Sequence, residues 1–423
     1  MTTTETLSPN TATNRNSSTI KTMFLVGAAW FGMNAFFAFD LASMPLFFND
    51  RIEQKWVVGL ILGMMGGFGI LVAPLFGLIS DRIRHRLGRR RPMMLIGLPL
   101  FITLLIVTQY MHTIWLMAII WPFVYLFHLV VERPWGALMP DLFPPDKRAT
   151  ANGVSQLLGA SASLLYFVLG RYLWARNEEL TFYVVAAVYA AGILALVFGI
   201  KENPTDMNES KVEGGRSKVE RIGEKGKRLN YITGLLEHRD LLKYTLACLF
   251  WSMGLNGVLP WLTSFGTEDL GMSVELSFLP LALSVVVIII FSVPFGILAD
   301  RIGHKALTSI GLLIMVLVNI CVVFVHSIPL VFVLMGIVAF GFCIIVVVPY
   351  ALMVNLIPED RMAELIGISS ISVYVSILIG KPLSGFLIDA FGSYRPIFIF
   401  AAVNHALGLL FLQGVKEKKH GAA

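Results

Sequence analysis

The segment GLISDR occupies residues 77–82, directly after a long apolar stretch, and returns as GILADR at residues 296–301 after another apolar stretch. A second motif follows each copy, ALMPDLFP at residues 137–144 and ALMVNLIP at residues 351–358. Two independent landmarks that recur in the same order and at nearly equal offsets indicate that one structural unit is duplicated along the chain.

The composition indicates that lipid surrounds most of the chain. Hydrophobic residues make up 56% of the 423 residues, charged residues make up 14%, and the mean hydropathy is +0.75. A soluble protein carries roughly a quarter charged residues. We therefore predict an all-α membrane protein, because helices satisfy every backbone amide within lipid and the two-residue alternation of a β-barrel does not occur in the sequence.

Apolar segments that could each cross about 30 Å of hydrocarbon, or roughly 20 helical residues, recur along the chain. Together with the duplication, they predict two pseudo-symmetric six-helix bundles. The twelve predicted membrane helices are 23–49, 54–80, 92–112, 114–139, 149–175, 178–200, 241–267, 273–299, 305–327, 328–355, 362–390 and 394–415.

The polar stretches predict the domain boundaries. Residues 1–20 are rich in Thr, Ser and Asn, without the basic and apolar regions of a cleaved signal peptide. The predicted order is a disordered cytosolic tail at 1–20, an N-terminal bundle at 21–200, a glycine-interrupted cytosolic linker at 201–240, a C-terminal bundle at 241–415 and a cytosolic tail at 416–423.

The basic residues predict the orientation in the membrane. An even number of crossings leaves both termini on one side, and that side has 26 of the 33 Lys and Arg residues. The positive-inside rule then predicts that both termini are cytoplasmic. The net charge of +6 is explained by this loop asymmetry, so we expect no nucleic-acid partner.

The three cysteines, Cys248, Cys321 and Cys343, lie within predicted helices, and their spacing supports no disulfide or zinc site. A Walker lysine motif, a metal-binding motif and a nucleophile motif on a loop are also missing from the sequence. We therefore expect neither an enzyme nor a resident metal or cofactor.

The duplicated loop resembles the signature loop of the major facilitator superfamily. Its longer form, SDRIRHRLGRRRP at 80–92, together with PWGALMPD at 134–141 and RATAN at 148–152, resembles the sucrose-transporter branch of the glycoside-pentoside-hexuronide cation symporters. The resemblance implies a central cavity lined by helices 1, 4, 7 and 10, and a cytoplasmic gate. The implied gate residues are Gly77, Asp81, Arg82, Gly88, Arg89, Asp141, Gly296, Asp300 and Arg301.

The chain departs from these relatives at two sites. Gly136 stands where sucrose transporters that resemble this chain place an arginine, and Gly69 and Ala73 stand where the melibiose permeases of the same family place the two acids of a sodium site. Lys381 resembles the lysine on helix 11 of those permeases. The resemblance therefore favours protons over sodium as the coupling ion and does not indicate sucrose itself.

Four charged residues lie inside apolar segments, and their charges sum to zero: Asp40, Glu132, Arg133 and Lys381. Each such charge costs about 2.5–3.5 kcal/mol on insertion scales, which favours a functional role. Asp40 is predicted to carry a proton, to accept sugar hydroxyls, or to pair permanently with Lys381 at similar depth. Lys381 is predicted to switch between Asp40 and Glu132, to act as a fixed clamp, or to substitute for the sodium ion, and the sequence leaves these alternatives open.

Polar and aromatic side chains on the predicted cavity helices and their neighbours are candidates for substrate binding. Amides donate and accept hydrogen bonds at once, and aromatic rings can cover the apolar face of a sugar. An interhelical contact is the alternative role for each of them. The candidates are Asn34, His128, Trp135, Gln156, Asn256, Trp261, Tyr350 and Tyr374.

Small residues recur every four positions on two predicted helices, which allows close helix approach. We predict that both ladders are sliding contacts between the two bundles. The ladders are Gly59, Gly63 and Gly67 on helix 2, and Ser372, Ser376, Gly380 and Ser384 on helix 11.

These features predict a monomeric, proton-coupled symporter in the plasma membrane that moves a glycoside, or a similar polar solute, by rocking two bundles about a central site. In this mechanism Asp40 or Glu132 is neutralised before the loaded carrier closes. A proton-antiport exporter of drugs or metabolites is the alternative, and a solute sensor without transport is a weaker one.

Overall fold

The computed structural model describes residues 9–72, 88–200, 238–357 and 362–416, which form helices with short connections. The helices of the N-terminal half are α1 (Pro9–Ala42), α2 (Lys55–Leu71), α3 (Arg91–Thr108), α4 (Ile114–Leu142), α5 (Pro145–Leu165) and α6 (Glu178–Gly199). Those of the C-terminal half are α7 (Arg239–Val258), α8 (Leu279–Ile302), α9 (His304–Phe324), α10 (Ile328–Val347), α11 (Met362–Phe391) and α12 (Pro396–Gln413).

Short helical segments extend several of these helices. The extensions are Met44–Asn49 after α1, Tyr166–Gly170 and Arg171–Arg176 after α5, Leu259–Trp261, Leu262–Ser264 and Phe265–Asp269 after α7, Val274–Ser277 before α8, and Pro349–Leu356 after α10. Within the described ranges, eleven extended helices are long and apolar enough to cross a membrane. The twelfth, α2, is apolar, and residues 73–87 beyond it lie outside the described ranges. The predicted all-α membrane fold is thus confirmed.

The start of α1 differs from the prediction. The helix begins at Pro9, so residues 9–20 are helical and do not form the predicted disordered tail. Proline is favoured in the first turn of a helix, and neither Gly nor Pro interrupts the polar stretch before Gly27. Residues 201–237 of the predicted linker (201–240) and residues 417–423 of the predicted C-terminal tail (416–423) lie outside the described residues. Within the predicted linker, α7 already begins at Arg239.

The two halves have the same helix arrangement. In the first half, α1 packs against α5 and α6, α3 packs against α4 and α6, and α2 packs against α4. The same pairs recur six helices later, where α7 packs against α11 and α12, α9 packs against α10 and α12, and α8 packs against α10. The halves meet where α2 contacts α11 and where α5 contacts α8. This pseudo-symmetry is what the repeated motifs predict.

The glycines of α2 permit its close approach to α11. A Cβ atom added at Gly59 would lie 2.3 Å from the carbonyl oxygen of Lys381, and one at Gly66 would lie 2.3 Å from that of Tyr374. At Gly67 the nearest atom would be a Leu378 methyl at 3.7 Å. The close-contact face therefore includes Gly66 instead of the predicted Gly67.

The small residues of α11 face a different neighbour from the one predicted. Asn256 of α7 donates to Ser376 Oγ at 3.3 Å, and Trp261 donates to Ser384 Oγ at 2.7 Å. A Cβ atom at Gly380 would lie 3.1 Å from the Met253 carbonyl oxygen, again on α7. The prediction that this ladder lies between the halves is wrong, because it packs within the C-terminal half.

The helix bundle has two ends, here named the terminal end and the distal end. The terminal end contains the start of α1 and the end of α12, and the distal end contains the start of α2 and the end of α11. Hydrogen bonds between the halves are found at the distal end. Asn49 Nδ2 donates to Ser264 Oγ at 2.9 Å and to Tyr394 Oη at 3.0 Å, and Thr263 Oγ1 donates to the Ala42 carbonyl at 2.9 Å. The distal ends of the two halves are therefore in direct contact.

The glycine face of α2 allows a direct test. We expect Gly59→Ala to lower the free energy of unfolding by about 1–3 kcal/mol, because the atoms opposite it are backbone atoms that cannot turn aside. Gly67→Ala is the matched control and is expected to change it by less than about 0.5 kcal/mol. Thermal unfolding of both variants in detergent is the measurement. Equal melting temperatures for the two variants would contradict the assignment of Gly59, and not Gly67, to the face of α2 that packs on α11.

Candidate functional site

The four charged residues predicted from the sequence lie at the centre of the helix bundle and separate into two groups. Asp40 and Lys381 form the first group, which bridges α1 and α11. Glu132 and Arg133 are neighbours on α4 and form the second group. Glu132 lies nearest His128 of the same helix, whereas Arg133 contacts Tyr374 of α11. The separation matters because each group joins a different set of helices.

Asp40 is almost wholly buried, with 7% of its surface exposed. The Tyr125 hydroxyl of α4 donates to Asp40 Oδ1 at 2.6 Å. Lys381, 6% exposed, lies within electrostatic reach of Asp40, and its Nζ donates to the Leu62 carbonyl of α2 at 3.1 Å. Buried charges require such partners, because burial without them is costly. The Asp40 and Lys381 charges therefore attract one another across the boundary between the halves.

Glu132 faces the interior of the N-terminal half. Its Oε2 lies 3.9 Å from Nε2 of His128, one helical turn earlier on α4. The other ring nitrogen of His128, Nδ1, lies 3.0 Å from the Tyr189 hydroxyl of α6. His128 is fully buried, with Phe36 and Phe37 among the rings around it. His128 thus connects Glu132 to α6, and its burial leaves no surface for direct contact with a solute in this conformation.

Arg133 points toward the other half. Its Nη2 donates to the hydroxyl of Tyr374 on α11, and its guanidinium lies 5.7 Å from the centre of that ring. Consecutive helical residues differ in direction by about 100°, which explains why Glu132 and Arg133 have different partners. Arg133 therefore forms a second polar link between α4 and α11.

A stacked tryptophan pair lies nearer the terminal end. Trp30 and Trp135 have ring centres 4.3 Å apart and an interplanar angle of 6°. Trp30 Nε1 donates to Gln156 Oε1 at 3.3 Å, and Asn34 Nδ2 donates to the Trp30 carbonyl at 2.9 Å. Trp135 is buried and Trp30 is half-buried. The structure thus brings together three predicted candidates, Asn34, Trp135 and Gln156, around Trp30.

The candidates in the C-terminal half are spread out. Asn256 bonds to Ser376, and Trp261 is fully buried against Ser384, so both make interhelical contacts within that half. Tyr350 lies in the extension of α10 and is exposed. Of the C-terminal candidates, only Tyr374 is joined to the charged groups described above.

The gate residues implied by the sequence lie at the terminal end where they are described. Gly88 adopts a φ of 103°, a conformation that favours glycine. Asp141 Oδ2 lies 3.2 Å from Arg90 Nε, and Asp300 Oδ1 lies 3.4 Å from His304 Nε2. Arg89, Gly296 and Arg301 lie in the same region. Gly77, Asp81 and Arg82 lie outside the described residues.

Sequence reasoning did not select Tyr125 or Trp30. For Tyr125 a signal exists, because Tyr125, His128 and Glu132 are spaced by three and four residues and therefore share a face of α4. Trp30 lies one turn before Asn34 on α1 in the same way. Their partners Asp40 and Trp135 are on other helices, so the spacing alone could not identify the contacts.

Comparisons with known proteins agree with the fold described above. The sequence model described as Major Facilitator Superfamily matches residues 22–291 and 279–423. Over 183 residues the chain is 30% identical to an uncharacterized transporter of Buchnera aphidicola subsp. Schizaphis graminum, a match that spans 43% of this chain and 46% of the relative, or about half of the relative's length.

Solved structures resemble the chain over nearly its whole length. A bacterial homologue of the human lysosomal transporter Spinster, in an inward-facing and occupied conformation, has a TM-score of 0.73 at 12% identity, covering 95% of this chain and 96% of that one. A D-xylose-proton symporter has a TM-score of 0.71 at 15% identity, covering 96% and 99%. At these identities, the likeness establishes the fold.

The burial of Asp40 and Lys381 predicts how their replacement changes stability. Lys381→Met is expected to lower the free energy of unfolding by about 3–5 kcal/mol, because it leaves Asp40 as a buried charge without its cation. Adding Asp40→Asn should recover most of that loss, since both charges are then absent. Thermal unfolding in detergent of the two single variants and the double variant is the measurement. Additive losses would show that the two charges do not interact.

Proposed function

The chain belongs to the Major Facilitator Superfamily, and on that premise we propose that it is a proton-coupled symporter of a sugar-like polar solute. It is an integral membrane protein with the two-bundle fold of that superfamily, whose members are transporters and not enzymes. The observation that supports the proposal most directly is the buried carboxylate of Asp40, held by Tyr125 from α4 and attracted by Lys381 from α11.

The position of Asp40 suggests how a proton is coupled to movement. Alternating access moves one bundle relative to the other, so α1 and α11 change their relative positions. Separating a charged Asp40 from Lys381 leaves two buried charges without each other, which is strongly unfavourable. A proton on Asp40 reduces that cost. Proton binding and rearrangement of the halves are therefore thermodynamically linked.

Glu132 serves a related role in this mechanism. Its contacts with His128 and its neighbour Arg133 place it beside the second polar link between the halves. Neutralising Glu132 would remove its electrostatic attraction for Arg133, which is already bonded to Tyr374, and would make that cation more available to a solute. We propose Asp40 as the main proton carrier, because Asp40 is buried and lies within electrostatic reach of Lys381, a cation of the opposite half.

The stacked pair Trp30 and Trp135, with the amides Asn34 and Gln156 beside it, forms an aromatic group that supports a sugar-like solute. Trp30 is half-buried and stacks on the buried Trp135, so its ring is the apolar surface available to a solute, while Asn34 and Gln156 supply amides that donate and accept hydrogen bonds. Sugars combine apolar faces with hydroxyl groups and match both features. The D-xylose-proton symporter shares the fold, which is compatible with this class of solute.

We infer that the terminal end is cytoplasmic, because basic residues are concentrated in the loops of that end. The distal end then faces the outside of the plasma membrane, and the bonds of Asn49 with Ser264 and Tyr394 close the carrier to that side. The implied gate residues Asp141 and Asp300 lie at the cytoplasmic side. A single chain contains both halves and forms the proposed carrier, so we propose a monomer.

A proton-antiport exporter of drugs or metabolites is the second candidate. The stacked Trp30 and Trp135 rings favour it, because a planar apolar solute binds aromatic faces as well as a sugar does. Counterflow of labelled mono- and disaccharides in proteoliposomes distinguishes the two. Counterflow of a sugar supports the symporter, while indifference to every sugar tested favours the exporter.

The coupling role of Asp40 predicts a separation of two activities. Asp40→Asn is expected to reduce proton-driven accumulation of solute to about the equilibrium ratio, because the protonatable group is lost, while solute exchange continues. Asp50→Asn changes an exposed acid beyond the end of the same helix and should retain accumulation. Uptake into proteoliposomes with an imposed pH gradient measures both. Undiminished uphill uptake by Asp40→Asn would refute the role.

The role of the aromatic group predicts an effect on affinity. Trp30→Ala is expected to raise the half-saturating sugar concentration about five- to tenfold, since a stacking surface worth about 1 kcal/mol or more is lost. Trp30→Phe should retain much of the affinity. Trp115→Ala, which alters a tryptophan that is 78% exposed, is the control and should leave the affinity unchanged. Concentration dependence of uptake is the measurement, and equal affinities for wild type and Trp30→Ala would exclude the site.

A further inference from the structure

Asp389, near the distal end of α11, lies against the start of α2 in the opposite half. Its Oδ1 accepts a hydrogen bond from the Lys55 backbone N–H at 2.8 Å, and its Oδ2 accepts one from the Trp56 backbone N–H at 2.8 Å. We propose that Asp389 is a positioning residue for transport that closes the distal end by capping α2 from the other half.

The start of α2 requires such a partner. The first backbone N–H groups of a helix have no acceptor within that helix, and the helix dipole makes this end positive. The residue before α2, Gln54, makes no capping hydrogen bond with its side chain. Asp389 therefore provides both acceptors, which the side chain of Gln54 does not, and it places a negative charge at the positive end of α2.

The backbone of α11 is shaped to allow this approach. Gly385 lies one turn before Asp389, and a Cβ atom at Gly385 would lie 2.3 Å from the Lys55 carbonyl oxygen and 2.8 Å from Trp56 Cα. Any side chain there would push the two helices apart. The Lys55 ammonium also lies 3.7 Å from Glu268 Oε2 in the extension of α7, so both the backbone and the side chain of Lys55 contact the C-terminal half.

The cap connects distal closure to the central charges. Lys381 and Asp389 are about two helical turns apart on α11 and share one face. That face runs along α2, where Lys381 binds the Leu62 carbonyl and Asp389 binds the first turn. A movement of α11 away from α2 therefore breaks the cap at the same time as it moves Lys381.

The two cap bonds exist only while the distal end is closed. A contact made in one conformation and absent from the other shifts the balance between them by its own interaction free energy. Asp389 thus favours the conformation that is closed at the distal end. This inference rests on the proposed alternating access of the carrier, but it is independent of which solute or ion is carried.

The test measures the distance between the halves directly. Spin labels at Glu179 and Ser327, both exposed and on opposite halves at the distal end, report that distance by double electron–electron resonance once Cys248, Cys321 and Cys343 are replaced. Asp389→Ala in the full chain is expected to raise the population with the longer distance about two- to fivefold, the effect expected for losing a carboxylate at a helix N-terminus.

Three further variants make the result specific. Gly385→Ala should shift the distances in the same direction without altering the carboxylate, and Asp389→Glu should restore much of the shorter distance. Glu53→Ala removes an exposed acid just before α2 and should leave the distribution unchanged. An unchanged distribution in both Asp389→Ala and Gly385→Ala overturns the proposal. If the distance distribution shifts in Asp389→Ala although the wild-type chain transports no sugar, the cap is supported and only the sugar assignment is refuted.

Discussion

Asp40 and Lys381 are buried on opposite halves of the chain, and their attraction constrains the arrangement of the helices between them. A buried charge is tolerated only where partners compensate for lost water, so α4 must supply the Tyr125 hydroxyl and α2 the Leu62 carbonyl. Four helices are thereby positioned by one pair of charges. Because the pair crosses the boundary between the halves, its energy also depends on how the halves are placed.

The contact between α2 and α11 makes this arrangement possible. Gly59 and Gly66 allow the backbones to touch, which brings Lys381 and Tyr374 of α11 to the middle of the bundle. Farther along, Gly385 allows the same helix to reach the start of α2. The polar residues at the middle of the bundle, Lys381 and Tyr374, and the distal contact at Gly385 therefore belong to the same helix pair, α2 and α11. A small rotation of α11 alters all of these contacts together.

The N-terminal half contains a polar group next to this boundary. His128 bonds to Tyr189 inside a shell of aromatic rings, and Glu132 lies 3.9 Å from the other ring nitrogen of His128. Arg133, the next residue along, instead contacts Tyr374 of the other half. One turn of α4 thus serves both the internal packing of its own half and the contact between halves. The stacked Trp30 and Trp135 lie on the terminal side of this turn.

The helices, their number, the duplication and the superfamily could be predicted from the sequence alone. Those properties follow from the length of the apolar segments and from motifs repeated along the chain, and both are local features. The chain also revealed which charges lie inside apolar helices, because Asp40, Glu132, Arg133 and Lys381 stand out against apolar neighbours. Periodicity along α4 would have added Tyr125.

Which of these groups contact one another could be learned only from the packing of the helices. The ladder Ser376, Gly380 and Ser384 was expected between the halves, yet it packs on α7, because spacing specifies a helix face but not the helix opposite that face. The same holds for Asp389 and the start of α2, which are separated by most of the chain. Contacts between distant helices depend on how whole bundles pack, and no local pattern in the sequence contains that information.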